Sequence, residues 1–171
     1  MTFKKLTVRT MAGVVFSFLA FAPNNLVRLT PVAFAQDQDE HPGCVHVGGV
    51  LMTDIGAIAG VTNLGPVFGD LAGSVAATIL GQNSDGSYNV QHYWVTTAGD
   101  IIKVKQAVLY PTYPTSDKDI VAVPWGNYIT YFIGGTGKYK DATGTVEYFG
   151  MADFHKDTMV LRYRGFVCYA H

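Results

Sequence analysis

The chain is short of cysteine and of charge. It has two cysteines, 12 lysines and arginines and 13 aspartates and glutamates in 171 residues. No stretch shows the periodicity of a long amphipathic helix, and no apolar run reaches the roughly 20 residues needed to span a bilayer. There is no Gly-x-Ser-x-Gly elbow for a nucleophilic serine and no Gly-Lys-Ser/Thr loop for a nucleotide phosphate. His41, His46, His92, His155 and His171 are scattered, and no histidine except the terminal His171 stands near Cys168. That is not the clustered spacing of a metal site. No metal and no cofactor are expected.

What is present begins with an export signal. Lys4, Lys5 and Arg9 precede the uncharged stretch 11–22, a basic start followed by a short apolar run. Ala33-Phe34-Ala35 supplies small residues just before the acidic segment 36–40, so cleavage is expected after Ala35, with Ala22 the weaker alternative. This divides the chain into a signal peptide, 1–35, a flexible leader, 36–43, which contains Pro42-Gly43, and a single domain, 44–171. A secreted or periplasmic protein is expected, with no membrane attachment after cleavage. Loss of 1–35 removes Lys4, Lys5, Arg9 and Arg28 and no acidic residue, leaving 8 basic against 13 acidic residues, net −5. Such a surface argues against nucleic acid as a partner.

Cys44 and Cys168 stand at opposite ends of the domain. In an oxidising compartment they should pair, and closing so long a loop stabilises the fold by about 4–5 kcal/mol at most. Two free buried thiols are the alternative.

The domain is rich in glycine and tyrosine and reads as strands and turns. A first strand is expected over 45–52, a small-residue loop over 55–66 and a second strand over 69–80, ending in the turn cluster 81–86. The segment 88–97 alternates, with Tyr88, Val90, His92, Trp94 and Thr96 on one face. The segment 101–110 sets Ile102, Val104 and Val108 against Lys103 and Lys105, as a half-buried strand does. A loop at 111–117, a short strand near 119–123 and an apolar strand over 127–133 follow. Then 146–154 and 158–169 flank the turn 155–157. Pairing them so that positions sum to 311 opposes Glu147 to Arg164 and Tyr148 to Tyr163 on opposite faces, pairs worth about 0.2–1 kcal/mol each. A slip of one residue destroys both sets. Seven or eight strands in this length imply a sandwich or a barrel, and joining Cys44 to Cys168 puts first strand beside last, as closure does.

Gly134-Gly135-Thr136-Gly137 invites an anion-loop reading. No helix pattern follows and a strand begins near Thr145, so a sharp bend between strands is expected instead. The longer segment IGGTGKYKDATG at 133–144 resembles the signature of allene oxide cyclase-like and dirigent-like β-barrels. FGDLAG at 68–73, HYWVTTAGD at 92–100 and YRGFVC at 163–168 support a likeness to bacterial secreted members of that group. The resemblance implies an all-β fold, a closed antiparallel eight-stranded barrel of calycin-like shape with an apolar cavity for one small ligand. Plant relatives cyclise a fatty-acid epoxide or steer phenoxy-radical coupling, holding a reactive hydrophobic substrate in one conformation. Their polar pocket residues do not align onto this chain, so no catalytic residue is assigned.

His92 is either a strand histidine with a local hydrogen bond or a pocket group that orients a ligand. Trp94, Tyr131, Tyr148 and Tyr163 join it as ligand-binding candidates, and Trp125, Tyr93 and Phe149 extend the aromatic set. All of these either line a cavity or simply fill the barrel. Glu147 and Arg164 form an ion pair, on the surface or turned inward. Three uses follow: a binder of a small hydrophobic or aromatic molecule; a cyclase or isomerase acting by conformational control; and a structural protein, a homo-oligomer with a filled core. An empty interior of about 300 Å³ or more favours the first two.

Overall fold

The structure, a computed structural model, describes residues 43–170. The expected signal and its cleavage site, the leader up to Pro42, His41 and His171 lie outside the described residues. Ten strand segments follow in order: β1 Cys44–Ile58, β2 Thr62–Gly69, β3 Gly73–Gln82, β4 Tyr88–Thr96, β5 Ile101–Val104, β6 Ala107–Leu109, β7 Ile120–Val123, β8 Ile129–Gly135, β9 Thr143–Asp153 and β10 Thr158–Cys168. The 3-10 turn Gly137–Tyr139 is the only helical piece among the described residues.

Every pairing is antiparallel. β5 and β6 lie end to end along β4, and β7 and β8 end to end along β9. Each such couple acts as one stave, which gives eight. β10 pairs with β9 on one side and β1 on the other, so the sheet closes. Closure leaves no full-length edge to recruit another strand. The fold is a closed eight-stranded antiparallel barrel, as expected, and Cys44 and Cys168 lie directly opposite each other on β1 and β10, joined by a disulfide. The β9–β10 hairpin has the expected register, with Glu147 opposite Arg164 and Tyr148 opposite Tyr163. β4 alternates as expected too: Val90, His92, Trp94 and Thr96 face inward, while Tyr93 and Val95 face out.

Three expectations are corrected. The region 55–66 is not a loop. β1 runs on to Ile58, turns at Ala59–Val61 and returns as β2. Its small residues serve a β-bulge: Gly56 sits at φ +67° where the register shifts between Asp54 and Ile58, a conformation that side chains resist. The expected strand 69–80 is accordingly cut at Gly69, and β3 begins only at Gly73. The segment 101–110 is broken at Lys105-Gln106, which resets the phase so that Ala107, not Val108, is buried.

The glycine-rich segment 134–137 does make the expected bend, closing β8 and leading through the 3-10 turn to β9. That turn swings Tyr139 into the core at one end of the barrel.

Candidate functional site

The interior divides into a filled half and a hollow half, with His92 near the boundary. In the filled half Trp94 is 0 % exposed and meets Tyr163 edge to face, ring centroids 5.6 Å apart. A loop residue locks both. Leu71, from the β2–β3 connection, accepts a hydrogen bond from the Trp94 indole N–H through its carbonyl (3.0 Å) and donates its own N–H to the Tyr163 hydroxyl (3.0 Å). That hydroxyl donates in turn to the carbonyl of Phe68 (3.2 Å). Gly49 leaves room for this arrangement, since a Cβ there would strike the Tyr163 ring. Tyr139 and Val167 complete a plug at the disulfide end.

The other half holds a cavity of about 300 Å³ that opens at the barrel mouth. Its wall is apolar apart from Asn63, and the small residues Ala77, Val90, Val121, Val123 and Ala152 stand among larger ones such as Met159 and Leu161. The rim is different, for Tyr88, Tyr113, Lys118 and Asp119 stand there, most of them on the 111–119 connection. The Lys118 ammonium lies 4.5 Å from the centre of the Tyr113 ring, a cation–π contact.

At the floor three rings meet. Tyr128 lies 4.9 Å from Tyr148 and 5.5 Å from His92, and His92 stacks on Tyr148 at 5.9 Å. The Tyr148 hydroxyl is hydrogen-bonded to Thr130 Oγ1 at 3.1 Å. The Tyr128 hydroxyl is 2.8 Å from His92 Nε2. Burial holds the His92 pKa down at about 4 and, with the neighbouring Tyr148, pushes that of Tyr128 well up, so both are neutral near pH 7. The phenol is the stronger proton donor of the two. It therefore donates to Nε2, which assigns the imidazole proton to Nδ1.

The five sequence candidates thus separate. His92 stands behind Tyr128, which lines the cavity floor, and borders a small void beside it, with Tyr148 stacked on its other side. Trp94 and Tyr163 belong to the plug and touch no open space at the mouth. Tyr131 faces outward, 53 % exposed, beside a shallow groove on the outer wall. Tyr93 and Phe149 are exposed as well, and Trp125 stacks on Phe149 outside at 5.2 Å. Glu147 and Arg164 are paired on the outer surface at 2.7 Å, with the guanidinium over Trp125.

Tyr128, Thr53, Lys118 and Asp119 were missed. Tyr128 shares a face with Thr130 and Phe132, and Tyr131 with Ile129 and Ile133. Both faces are apolar, so alternation alone did not say which points inward. Near the mouth Asp117, Asp119 and His155 bring one ligand atom each within 4.8 Å of one another. All three are exposed, and their hydrogen bond and charge interaction account for the grouping.

No protein-family model matches the chain, and no curated protein does. Among solved structures it is similar to the pterocarpan synthase dirigent protein GePTS1, at 16% identity over 75% of this chain and 89% of that one, TM-score 0.32. It is similar also to the pterocarpan synthase dirigent protein PsPTS1, at 13% identity over 77% and 99%, TM-score 0.33. The barrel assignment rests on the strand register above, not on these overlaps.

Proposed function

We propose that this protein binds one small apolar or aromatic molecule in the open half of its barrel, outside the cytoplasm. The cavity carries the reading. An interior of about 300 Å³, mostly apolar along its wall, with polar groups at the rim and the Tyr128 ring at its floor, is what a small-molecule site requires. The likeness of 133–144 to allene oxide cyclase-like and dirigent-like barrels implies the same use of the interior. The disulfide is of the kind that persists in oxidising compartments, in keeping with the export signal. A conformation-controlling cyclase or isomerase is the second reading, favoured by the Tyr128–His92 hydrogen bond, which fixes two polar rings at the floor. The apolar row of Met52, Val160 and Met151 on the outer wall supports self-association in either case.

N-phenyl-1-naphthylamine, a neutral dye that fluoresces when desolvated, tests the cavity directly. It should bind the native protein about one to one, and Ala77→Leu, which fills the cavity, should weaken it at least tenfold while leaving the fold intact. Equal binding by both proteins, or none by the native one, overturns the proposal.

A further inference from the structure

Two polar atoms in the layer just behind the cavity floor have no partner among the described residues: Thr53 Oγ1 and His92 Nδ1. Each residue is only 4 % exposed. Both line a void of about 10 Å³ that shares Ala77, Tyr128, Met159 and Leu161 with the walls of the main cavity. That is about the room one oxygen atom takes. Buried polar groups in native proteins are nearly always hydrogen-bonded, so two orphans beside one such void are an unusual coincidence. The Tyr128 hydrogen bond fixes the imidazole from its far side and leaves Nδ1–H as a donor with nothing to donate to. Thr53 is held by β1, where it faces Met159 across β10.

We propose that this recess takes one neutral oxygen atom, a hydroxyl or a carbonyl, of the molecule bound above it, so that the ligand enters polar end first. The proposal rests on the ligand-binding reading and adds the chemical class. A hydroxyl accepts from His92 Nδ1–H and hydrogen-bonds with Thr53 Oγ1; a carbonyl oxygen accepts from both. A carboxylate does not suit the recess. Neither lysine nor arginine lines it, His92 is neutral, and an unpaired buried anion is costly. The rest of the molecule is apolar and small, in keeping with the cavity wall. The selected class is therefore the phenol, alcohol or ketone with one buried oxygen.

Three probes of one shape test this by titration calorimetry on the native protein: naphthalene, 1-naphthol and 1-naphthoate. The expected result is binding of naphthalene, about tenfold tighter binding of 1-naphthol, the gain of one net hydrogen bond, and weaker binding of 1-naphthoate. Thr53→Val keeps the shape and removes the hydroxyl. It should cut the naphthol preference below threefold and leave naphthalene within twofold. Independently, the His92 Nδ1 resonance in long-range nitrogen NMR should shift with 1-naphthol and stay with naphthalene. If naphthalene binds and 1-naphthol gains nothing, the recess holds a trapped water only and the proposal falls while the cavity reading stands. If naphthalene itself does not bind, the cavity reading fails and takes the recess with it.

Discussion

At one end of the barrel Trp94, Tyr163 and Tyr139 fill the interior; at the other, Ala77, Val90 and Val121 leave it hollow. The same staves build both ends, and inward-facing positions are apolar at both. The difference is the size of the inward residue at each level and what the connections contribute. At the filled end the β2–β3 connection sends Leu71 inward and the 3-10 turn sends Tyr139, so side chains from outside the strands complete the packing. At the hollow end the 111–119 connection arches over the rim and contributes Tyr113, Lys118 and Asp119 at its edge. A barrel of eight strands is near the limit between a packed core and a one-ligand pocket, and this chain uses both outcomes. The filled end supplies stability and the open end keeps room. The large expected costs therefore belong to the plug.

The comparison breaks first at Trp94. Trp94→Ala removes a fully buried ring and its hydrogen bond to Leu71, and should destabilise the fold by about 3–5 kcal/mol. Phe154→Ala at the mouth, where the ring is already half-exposed, should cost less than about 1 kcal/mol and change dye binding instead. Urea unfolding of the two variants decides it, and similar losses would mean that the ends are not energetically distinct.

Acid is the next lever, and it acts between the two halves. The His92 pKa falls from the ordinary 6.5 to about 4 because burial penalises its charged form. The unfolded chain therefore takes up a proton that the folded barrel refuses. Stability is full above about pH 6.5 and declines as pH drops toward 4, a loss on the order of 3 kcal/mol from this residue. His92→Gln, which keeps an acceptor for Tyr128, should flatten that part of the curve in denaturation midpoints measured from pH 7 to 4. An unchanged slope would mean that His92 is hydrated or already charged.

Much of this architecture was legible because some residues can satisfy only one arrangement. Glu147 with Arg164 and Tyr148 with Tyr163 sort onto opposite faces in one register alone, so the hairpin could be read to the residue. Alternation along β4 put His92 and Trp94 on one shared face, and the structure turns that face inward. Legibility failed where both phases are apolar, as at Tyr128 against Tyr131, and where small residues serve a bulge rather than a loop, as at Gly56. The division into plug and cavity was not legible either. It depends on Leu71 and Tyr139, which lie outside the strands and follow no period. The unpartnered Thr53 was hidden for another reason: a threonine is ordinary in a strand, and only its surroundings make it a candidate.

The smallest expected effect sits at the open mouth. His155, in the β9–β10 turn, is 3.0 Å from Asp117 and 3.9 Å from Asp119 on the 111–119 connection. The Asp117 hydrogen bond and charge, with lesser contributions from Asp119 and Asp153, raise the His155 pKa above 6.5. The same hydrogen bond lowers that of Asp117. The interaction is therefore intact between the depressed Asp117 value and the raised His155 value. It is lost as pH rises through the upper limit and again as acid protonates Asp117. Both side chains are exposed, so water and salt screen the pair and global stability should scarcely respond. The connection it ties down is another matter, because that connection borders the cavity, whereas the plug end is closed by the buried Leu71 and Tyr139. Proton NMR should give His155 a midpoint above 6.5 that moves back toward 6.5 in Asp117→Asn. Dye release in stopped flow should quicken as pH passes that midpoint, and should lose its pH dependence in the variant. If release is indifferent to pH while the midpoint behaves as expected, the pair holds the turn but not the mouth, and the open end is as rigid as the closed one.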